Sequence, residues 1–310
     1  MKAIVMAQPG GIEELKTIDI EKPVIAAGEV LVQVKAISIN PVDVKTRTGT
    51  GVYGRINTET PIIIGWDIAG VVAEANNAVF KPGDEVFGMV NFPGHGKAYA
   101  EYVAVPASQL ALKPANISFE EAAAATLAAL TAYQALVKNT NITPGQRVLV
   151  HAAAGGVGHF AVQIAKQLGA HVTGTSSAAN REFVLGLGAD DHIDYKNHNW
   201  QQNANSFDFI LDCLGADSLA LSINVTKPGG TIISILGLND ANKEKAVVKG
   251  VNAKAILVQS SGEDMKVLAG WLEKGIIKAH IAATFPFTKM GEAHLHVDTS
   301  RTVGKVVVTV

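Results

Sequence analysis

Gly155, Gly156 and Gly158 lie within the run RVLVHAAAGGVGHFAVQIAKQLG that occupies 147–169. The run opens with β-branched and apolar residues, breaks at small residues, and continues with apolar positions at helical spacing, which predicts strand, tight turn and helix. Without a Cβ at such a turn, backbone N–H groups approach an anion closely, and the helix N-terminus adds partial positive charge. A diphosphate suits this cradle, with Ala154, Gly155, Gly156, Val157 and Gly158 as its contacts. Ala153 stands where the usual G-x-G-x-x-G fingerprint has its first glycine, so context carries more weight than the motif. That context is Thr143-Pro144-Gly145 before the strand and a second strand, 171–175, after the helix. A glycine-rich turn that binds nothing is the plainer alternative.

A second group of chemically capable residues lies near the N-terminus. The segment Ser38-Ile39-Asn40-Pro41-Val42-Asp43-Val44-Lys45 leaves a strand and turns polar, with Arg47 and Tyr53 following. The strands that must position it are short and punctuated by Gly and Pro: KAIVMA, EVLVQVKAISI, GVVAEA, DEVFGMV and AEYVAVP. This spacing predicts a mostly antiparallel β domain. Beyond Pro114 the pattern changes, with Ser118 as a helix cap and an Ala-rich helical stretch running to Lys138. From the glycine run onward, strands and helices alternate. The expected elements are HVTGT, a helix over 180–187, DHIDY, FDFILDC, a helix over 218–226, GTIISIL, AILVQ over 255–259, and a closing helix over 263–274. This is the pattern of a doubly wound parallel sheet of about six strands. The final GKVVVTV is one more strand, expected to return to the first domain.

Composition excludes several classes. The 310 residues suit two domains, and 48% hydrophobic with 17% charged residues suits a compact α/β enzyme rather than disorder. A net charge of −2 gives no electrostatic footprint for nucleic acid. No apolar run reaches membrane-spanning length, and the opening MKAIVMAQPG lacks the character of a signal or transit peptide, so a cytoplasmic protein is expected. A single cysteine, Cys213, excludes an internal disulfide and a four-cysteine zinc lobe. At the end of its strand it reads as a small buried hydrophobe rather than a nucleophile.

Taken in order, SINPVDVKTRTG, PIIIGWDIAGVVAE, KPGDEVFG, HAAAGGVGHFAVQIAK and TSRTVGKVVVTV resemble the medium-chain dehydrogenase/reductase superfamily, specifically its zinc-free quinone oxidoreductase (zeta-crystallin-like) branch. The resemblance covers nearly the whole chain. It implies an α/β fold with a GroES-like catalytic domain (1–117 and 280–310), a Rossmann cofactor domain (118–279), and an active site in the cleft between them. It also implies a homodimer, joined by edge strands over 231–236 and 255–259.

Ligand chemistry separates the branches. The zinc-dependent relatives place a Cys, a His and a third Cys or acidic ligand where this chain has Asn40, Trp66 and Leu127, and those three side chains cannot bind zinc. His95, His151, His159 and His171 have no ligand spacing, so no metal is expected. The strand after the glycine turn ends Thr175-Ser176-Ser177, with Arg181 nearby, rather than in the carboxylate that selects NAD. Hydroxyls and a guanidinium suit a 2′-phosphate, so NADPH is the expected cofactor. The resemblance adds Tyr195 beside the adenosine phosphate. The strand carboxyl ends place Leu214, Gly215, Gly237 and Leu238 around the nicotinamide. Lys305 either approaches the cofactor or snorkels from its strand.

Without a Lewis acid, quinones and α,β-unsaturated carbonyls are the fitting acceptors, because conjugation spreads the developing charge. Asn40 is the first candidate to hold the carbonyl or the nicotinamide ribose, and Tyr53 is a second donor. Asp43 is expected to organise Lys45, Arg47 or a ribose hydroxyl. Trp66 and Phe92 are either a pocket wall or core. Two other readings stay open: an NADPH-binding sensor or structural protein, and a zinc-dependent alcohol dehydrogenase.

Overall fold

A computed structural model describes residues 1–310, apart from the side chains of Ala216 and Asp217. Contacts divide the chain into two compact units, Met1–Leu130 with Gln259–Val310, and Thr131–Val258. These boundaries differ from the expected 117/118 and 279/280. The helix Gly262–Glu273, expected to close the nucleotide-binding half, packs instead against Ala107–Gln109 and Ala111–Leu112 of the first unit. Gly262 makes that approach possible, since a Cβ there would lie 2.6 Å from the carbonyl oxygens of Ser108 and Leu110. The helix Phe119–Ala124 packs on the strands Glu29–Ile39 and Asp67–Ala75.

In the first unit a seven-stranded sheet has the order Ile281–Pro286, Lys305–Thr309, Glu29–Ile39, Asp67–Ala75, Glu85–Met89 and Ala111–Leu112, with Tyr102–Pro106 also pairing Glu29–Ile39. All pairings are antiparallel except that of the first two strands. Burying Val30, Val32, Val34, Ala36 and Ile37 fixes the register of the long Glu29–Ile39 strand. The polar segment after Asn40 forms a short helix, Pro41–Arg47, with proline in its first turn. The Ala-rich stretch was expected as one helix but forms three pieces: Phe119–Ala124, Leu127–Tyr133 and a π-helical Gln134–Lys138. Its start is a capping box, with Ser118 Oγ accepting from Glu121 N at 3.1 Å and Glu121 Oε2 from Ser118 N at 2.9 Å.

The second unit is a six-stranded parallel sheet ordered Asp191–Asp194, His171–Ser176, Arg147–Val150, Phe207–Asp212, Thr226–Ser234, Asn252–Ala255. The order reverses beside Arg147–Val150, the strand that leads into the glycine turn. The last strand lies three residues before the expected 255–259, and Thr226–Ser234 is internal rather than an edge. The Ala246–Val251 stretch explains the offset, because Ala246 and Val251 join Ile232 and Phe207 in the core. Among the described residues, no helix is long and apolar enough to cross a membrane.

Behind the glycine turn the sheet buries a histidine. His151 Nε2 meets Ser222 Oγ at 2.9 Å, and Nδ1 meets Thr175 Oγ1 at 3.3 Å. Burial brings its pKa down to about 4, against the opposing pull of Asp212, so the ring is neutral. Between about pH 4 and 6.5 the unfolded chain binds a proton here that the folded chain does not, so stability falls as pH falls through this window. H151Q is expected to flatten that part of the acid slope, by up to about 3 kcal/mol. Thermal midpoints from pH 4 to 7 measure it; an unchanged slope would refute the assignment.

Candidate functional site

The glycine turn is built by one strained residue and one missing Cβ. Ala152 has φ +50°, and Gly155 N donates to its carbonyl at 2.8 Å. A Cβ on Gly158 would lie 2.1 Å from that same carbonyl oxygen, so no other residue fits there. The helix Gly156–Gln167 starts from Gly155 with no side-chain cap, leaving its first N–H groups open to a ligand. Ala154 is buried below the turn, while Gly155, Gly156 and Val157 are half-buried.

At the end of the next strand the predicted residues separate. Thr175 turns to the far face and contacts His151, so its hydroxyl belongs to the buried network. Ser176 faces the other way, where its Oγ meets His192 Nε2 at 2.7 Å and donates to Ser177 O at 3.1 Å. Ser177 holds the N-cap position of the turn Ala178–Asn180 without a side-chain cap bond. Arg181 is exposed and pairs with Glu182 at 2.8 Å. Tyr195 is 52% exposed, and its N–H donates to Ser176 O at 3.3 Å. Ser176, Ser177 and Tyr195 are thus brought together.

Asp212, at the end of Phe207–Asp212, organises the next turn. Its carboxylate accepts from Leu214 N, Gly215 N, Ser218 Oγ and Ser234 Oγ, the last at 2.8 Å. Leu214 is left 51% exposed beside it. Gly237 has φ +98° with open space where a Cβ would stand, whereas Leu238 packs against the core. Burial and Asp212 together push the Cys213 thiol up, so it is inert.

The first unit holds a buried polar cluster. Asn40 Nδ2 donates to Asp67 Oδ2 at 2.7 Å and to Ser38 O at 3.4 Å, and its Oδ1 accepts from Lys305 Nζ. Lys305 is 3% exposed, so it does not snorkel; Nζ also meets Ile39 O at 3.3 Å and Asp67 Oδ2 at 3.8 Å. Asp67 Oδ1 accepts from Leu127 N at 3.0 Å, which is why the Ala-rich helix breaks and restarts at that residue. Asp43 Oδ2 accepts from Asn40 N at 2.5 Å, while its Oδ1 is buried without a hydrogen-bond partner among the described residues. Neither expected cation serves Asp43. Lys45 is exposed, and Arg47 Nη1 donates to Gly10 O at 2.7 Å while Nε donates to His294 Nδ1 at 3.3 Å. With Nδ1 accepting, His294 Nε2 carries the proton and donates to Tyr99 Oη at 2.8 Å.

Burial raises the pKa of Asp43 to about 8 and raises that of Asp67, against the pull of Lys305 on both. Lys305 Nζ and Asp67 Oδ2 are placed as an ion pair, with burial holding the Lys305 pKa below its ordinary value against the pull of both carboxyl groups, and Asp43 is a neutral acid. Tyr53 is half-buried at the start of the helix Tyr53–Ile56. Trp66 and Phe92 are core: they pack edge to face at 5.5 Å, and Trp66 Nε1 donates to Gly94 O at 2.8 Å.

Residues 26–115 match the alcohol dehydrogenase GroES-like domain, and residues 187–308 match the zinc-binding dehydrogenase domain. The NADPH-dependent alkenal/one oxidoreductase of Arabidopsis thaliana chloroplasts is 35% identical over 99% of this chain and 79% of its own length. The chain belongs to the medium-chain dehydrogenase/reductase superfamily. Within that superfamily, the quinone oxidoreductase from Coxiella burnetii superposes with a TM-score of 0.94 at 34% identity, covering 100% of this chain and 99% of its own. The Escherichia coli quinone oxidoreductase, solved with NADPH, gives 0.88 at 28% identity, covering both chains completely.

Sequence reasoning missed Asp67, Asp212, His192 and the Tyr99–His294 pair as partners. Asp67 had a signal, a charge inside the apolar run PIIIGWDIAGVV. An Asp43→Asn variant keeps the acceptor for Asn40 N and removes the buried acid. Between about pH 4 and 8 the folded wild type holds a proton that the unfolded chain has released, so its stability falls as pH rises. D43N lacks this slope, and its advantage over wild type is expected to grow across that window to a few kcal/mol. Parallel thermal profiles of the two proteins would contradict this.

Proposed function

We propose that this protein is an NADPH-dependent oxidoreductase that reduces quinones or α,β-unsaturated carbonyls by hydride transfer without a metal. One observation carries the cofactor reading: an uncapped helix N-terminus follows the glycine turn, and the adjoining strand ends in hydroxyls rather than a carboxylate. The open N–H groups suit a diphosphate, and Ser176, Ser177, Arg181 and Tyr195 suit a 2′-phosphate. Bound there, NADPH supplies the hydride. Leu214, Gly215 and Gly237 would flank the nicotinamide, with Asp212 holding the first turn in shape.

Asn40 would orient a substrate or ribose oxygen. Of its two amide hydrogens, one is firmly held by Asp67 and the other reaches Ser38 O at only 3.4 Å, so the second is the one to be recruited. Asp43 and Lys305 position Asn40, from its backbone N–H and its carbonyl respectively. Tyr53 would be a further hydroxyl donor.

The donor set does not fit catalytic zinc. Asn40 is bonded to an ammonium, which would repel a dication, and the Trp66 nitrogen is a donor already used by Gly94. Among the described residues, no three His, Cys, Asp or Glu side chains gather as metal ligands. The same reading includes a cytoplasmic location and a homodimer. The Asn252–Ala255 edge, with Leu236, Val247, Val248 and Leu257 exposed in the second unit, supports the latter.

The test is NADPH and NADH oxidation with 9,10-phenanthrenequinone, a benzoquinone, an enal and a plain aldehyde, with and without chelator. Chelator-insensitive turnover of a quinone or the enal, faster with NADPH, is expected. Loss on chelation, or preference for the plain aldehyde, would overturn the reading. Ser176→Asp is expected to raise the Kd for NADPH at least about tenfold relative to NADH, by placing a carboxylate against the phosphate.

A further inference from the structure

His192 lies on the edge strand Asp191–Asp194, paired in register with Gly174, and shares a sheet face with Ser176. Its Nε2 is 2.7 Å from Ser176 Oγ. That hydroxyl has one hydrogen and two acceptors competing for it: Ser177 O at 3.1 Å and, when unprotonated, His192 Nε2. A neutral His192 accepting at Nε2 turns the serine hydrogen inward. A protonated His192 can only donate, which fills a lone pair of Ser176 Oγ and frees its hydrogen for another acceptor.

Resting on the reading of Ser176 and Arg181 as 2′-phosphate contacts, we propose that His192 is a positioning residue that makes 2′-phosphate recognition depend on a proton. When charged, it directs the Ser176 hydroxyl toward the phosphate and adds a cation behind it.

The surrounding groups fit this role. From the helix Arg181–Gly186, Arg181 opposes a charge on His192 and is itself paired with Glu182. On its own strand, Asp194 favours the charge, though its carboxylate is engaged by Asn197 at 2.7 Å and Lys196 N at 3.3 Å. On the strand beside it, His171 pairs with Asp191 at the opposite end, at 2.8 Å. Tyr195 follows Asp194 at the mouth. Burial first, then Arg181, holds His192 below the ordinary histidine range, so its ring is neutral at physiological pH until an anion comes beside it. A phosphate dianion reverses that balance, because an opposite charge within a few ångströms favours the imidazolium. Binding a 2′-phosphorylated cofactor thus takes up a proton, and binding its unphosphorylated counterpart does not.

The experiment is calorimetric titration of the full-length protein with NADP⁺ and NAD⁺ from pH 5.5 to 8.5, in buffers of differing ionisation enthalpy. Wild type, His192→Gln, Ser176→Ala and Arg181→Ala are compared. The ratio of the NADP⁺ Kd to the NAD⁺ Kd is expected to rise about tenfold with pH in wild type, with proton uptake on NADP⁺ binding only. The sign is diagnostic, since ionisation of the phosphate itself would make the ratio fall as pH rises. H192Q keeps a hydrogen-bonding side chain but cannot be charged, and should lose the rise and the uptake. If S176A and R181A weaken NADP⁺ selectively while H192Q keeps the wild-type profile, the inference is wrong and the phosphate site stands. If neither S176A nor R181A affects NADP⁺ selectively, the site reading fails, and the inference fails with it.

Discussion

The ion pair between Lys305 and Asp67 is the constraint on which the first unit's site depends. Both charges are taken almost completely out of water, which costs several kcal/mol per ion and is offset only when every remaining donor and acceptor is matched. Asp67 meets that condition through Leu127 N and Asn40 Nδ2, and Lys305 through Ile39 O and Asn40 Oδ1. Asn40 is fixed because it sits between the two charges, with its amide oriented by one partner on each side. Asp43 is the imperfect member, with one oxygen unmatched. A neutral acid in that position is the cheaper of its two states.

The second unit achieves rigidity by other means. Its buried polar side chains are hydroxyls, the amides of Gln134 and Asn242, the imidazoles of His151 and His159, and one carboxylate, Asp212, saturated by backbone and serine donors. Among the described residues there, no lysine or arginine is buried, and the helix N-terminus has no side-chain cap. An anionic ligand therefore meets a site that is already in shape and not already neutralised. The first unit compensates its buried charges internally, whereas in the second the uncapped N-terminus of Gly156–Gln167 keeps its partial positive charge.

The fold was legible where local pattern decides. Glu29–Ile39 has the length read from EVLVQVKAISI, and Arg147–Val150, the glycine turn and the following helix lie where their residue types placed them. Legibility ended where a distant partner overrides the local signal. The Ala-rich stretch reads as one helix, yet it breaks where the carboxylate of Asp67 captures the N–H of Leu127. Thr175 and Ser176 are adjacent and chemically alike, but strand alternation sends one to His151 and the other to His192. Lys305 reads either as approaching the cofactor or as snorkelling from its strand, because the two groups that hold it, Asn40 and Asp67, are remote in sequence.

That remoteness reaches into how the chain is made. Asn40 and Lys305 are 265 residues apart, and the second unit is a continuous stretch, Thr131–Val258, inserted between them. Domains fold as units while the chain is still emerging from the ribosome. The inserted sheet can therefore be complete while the earlier unit still has Asp67 without its cation and residues 36–39 of Glu29–Ile39 unpaired on the flank later taken by Lys305–Thr309. The half of the protein that is started first is the half that is finished last, and until then residues 36–39 of its longest strand lack the partner that Lys305–Thr309 supplies.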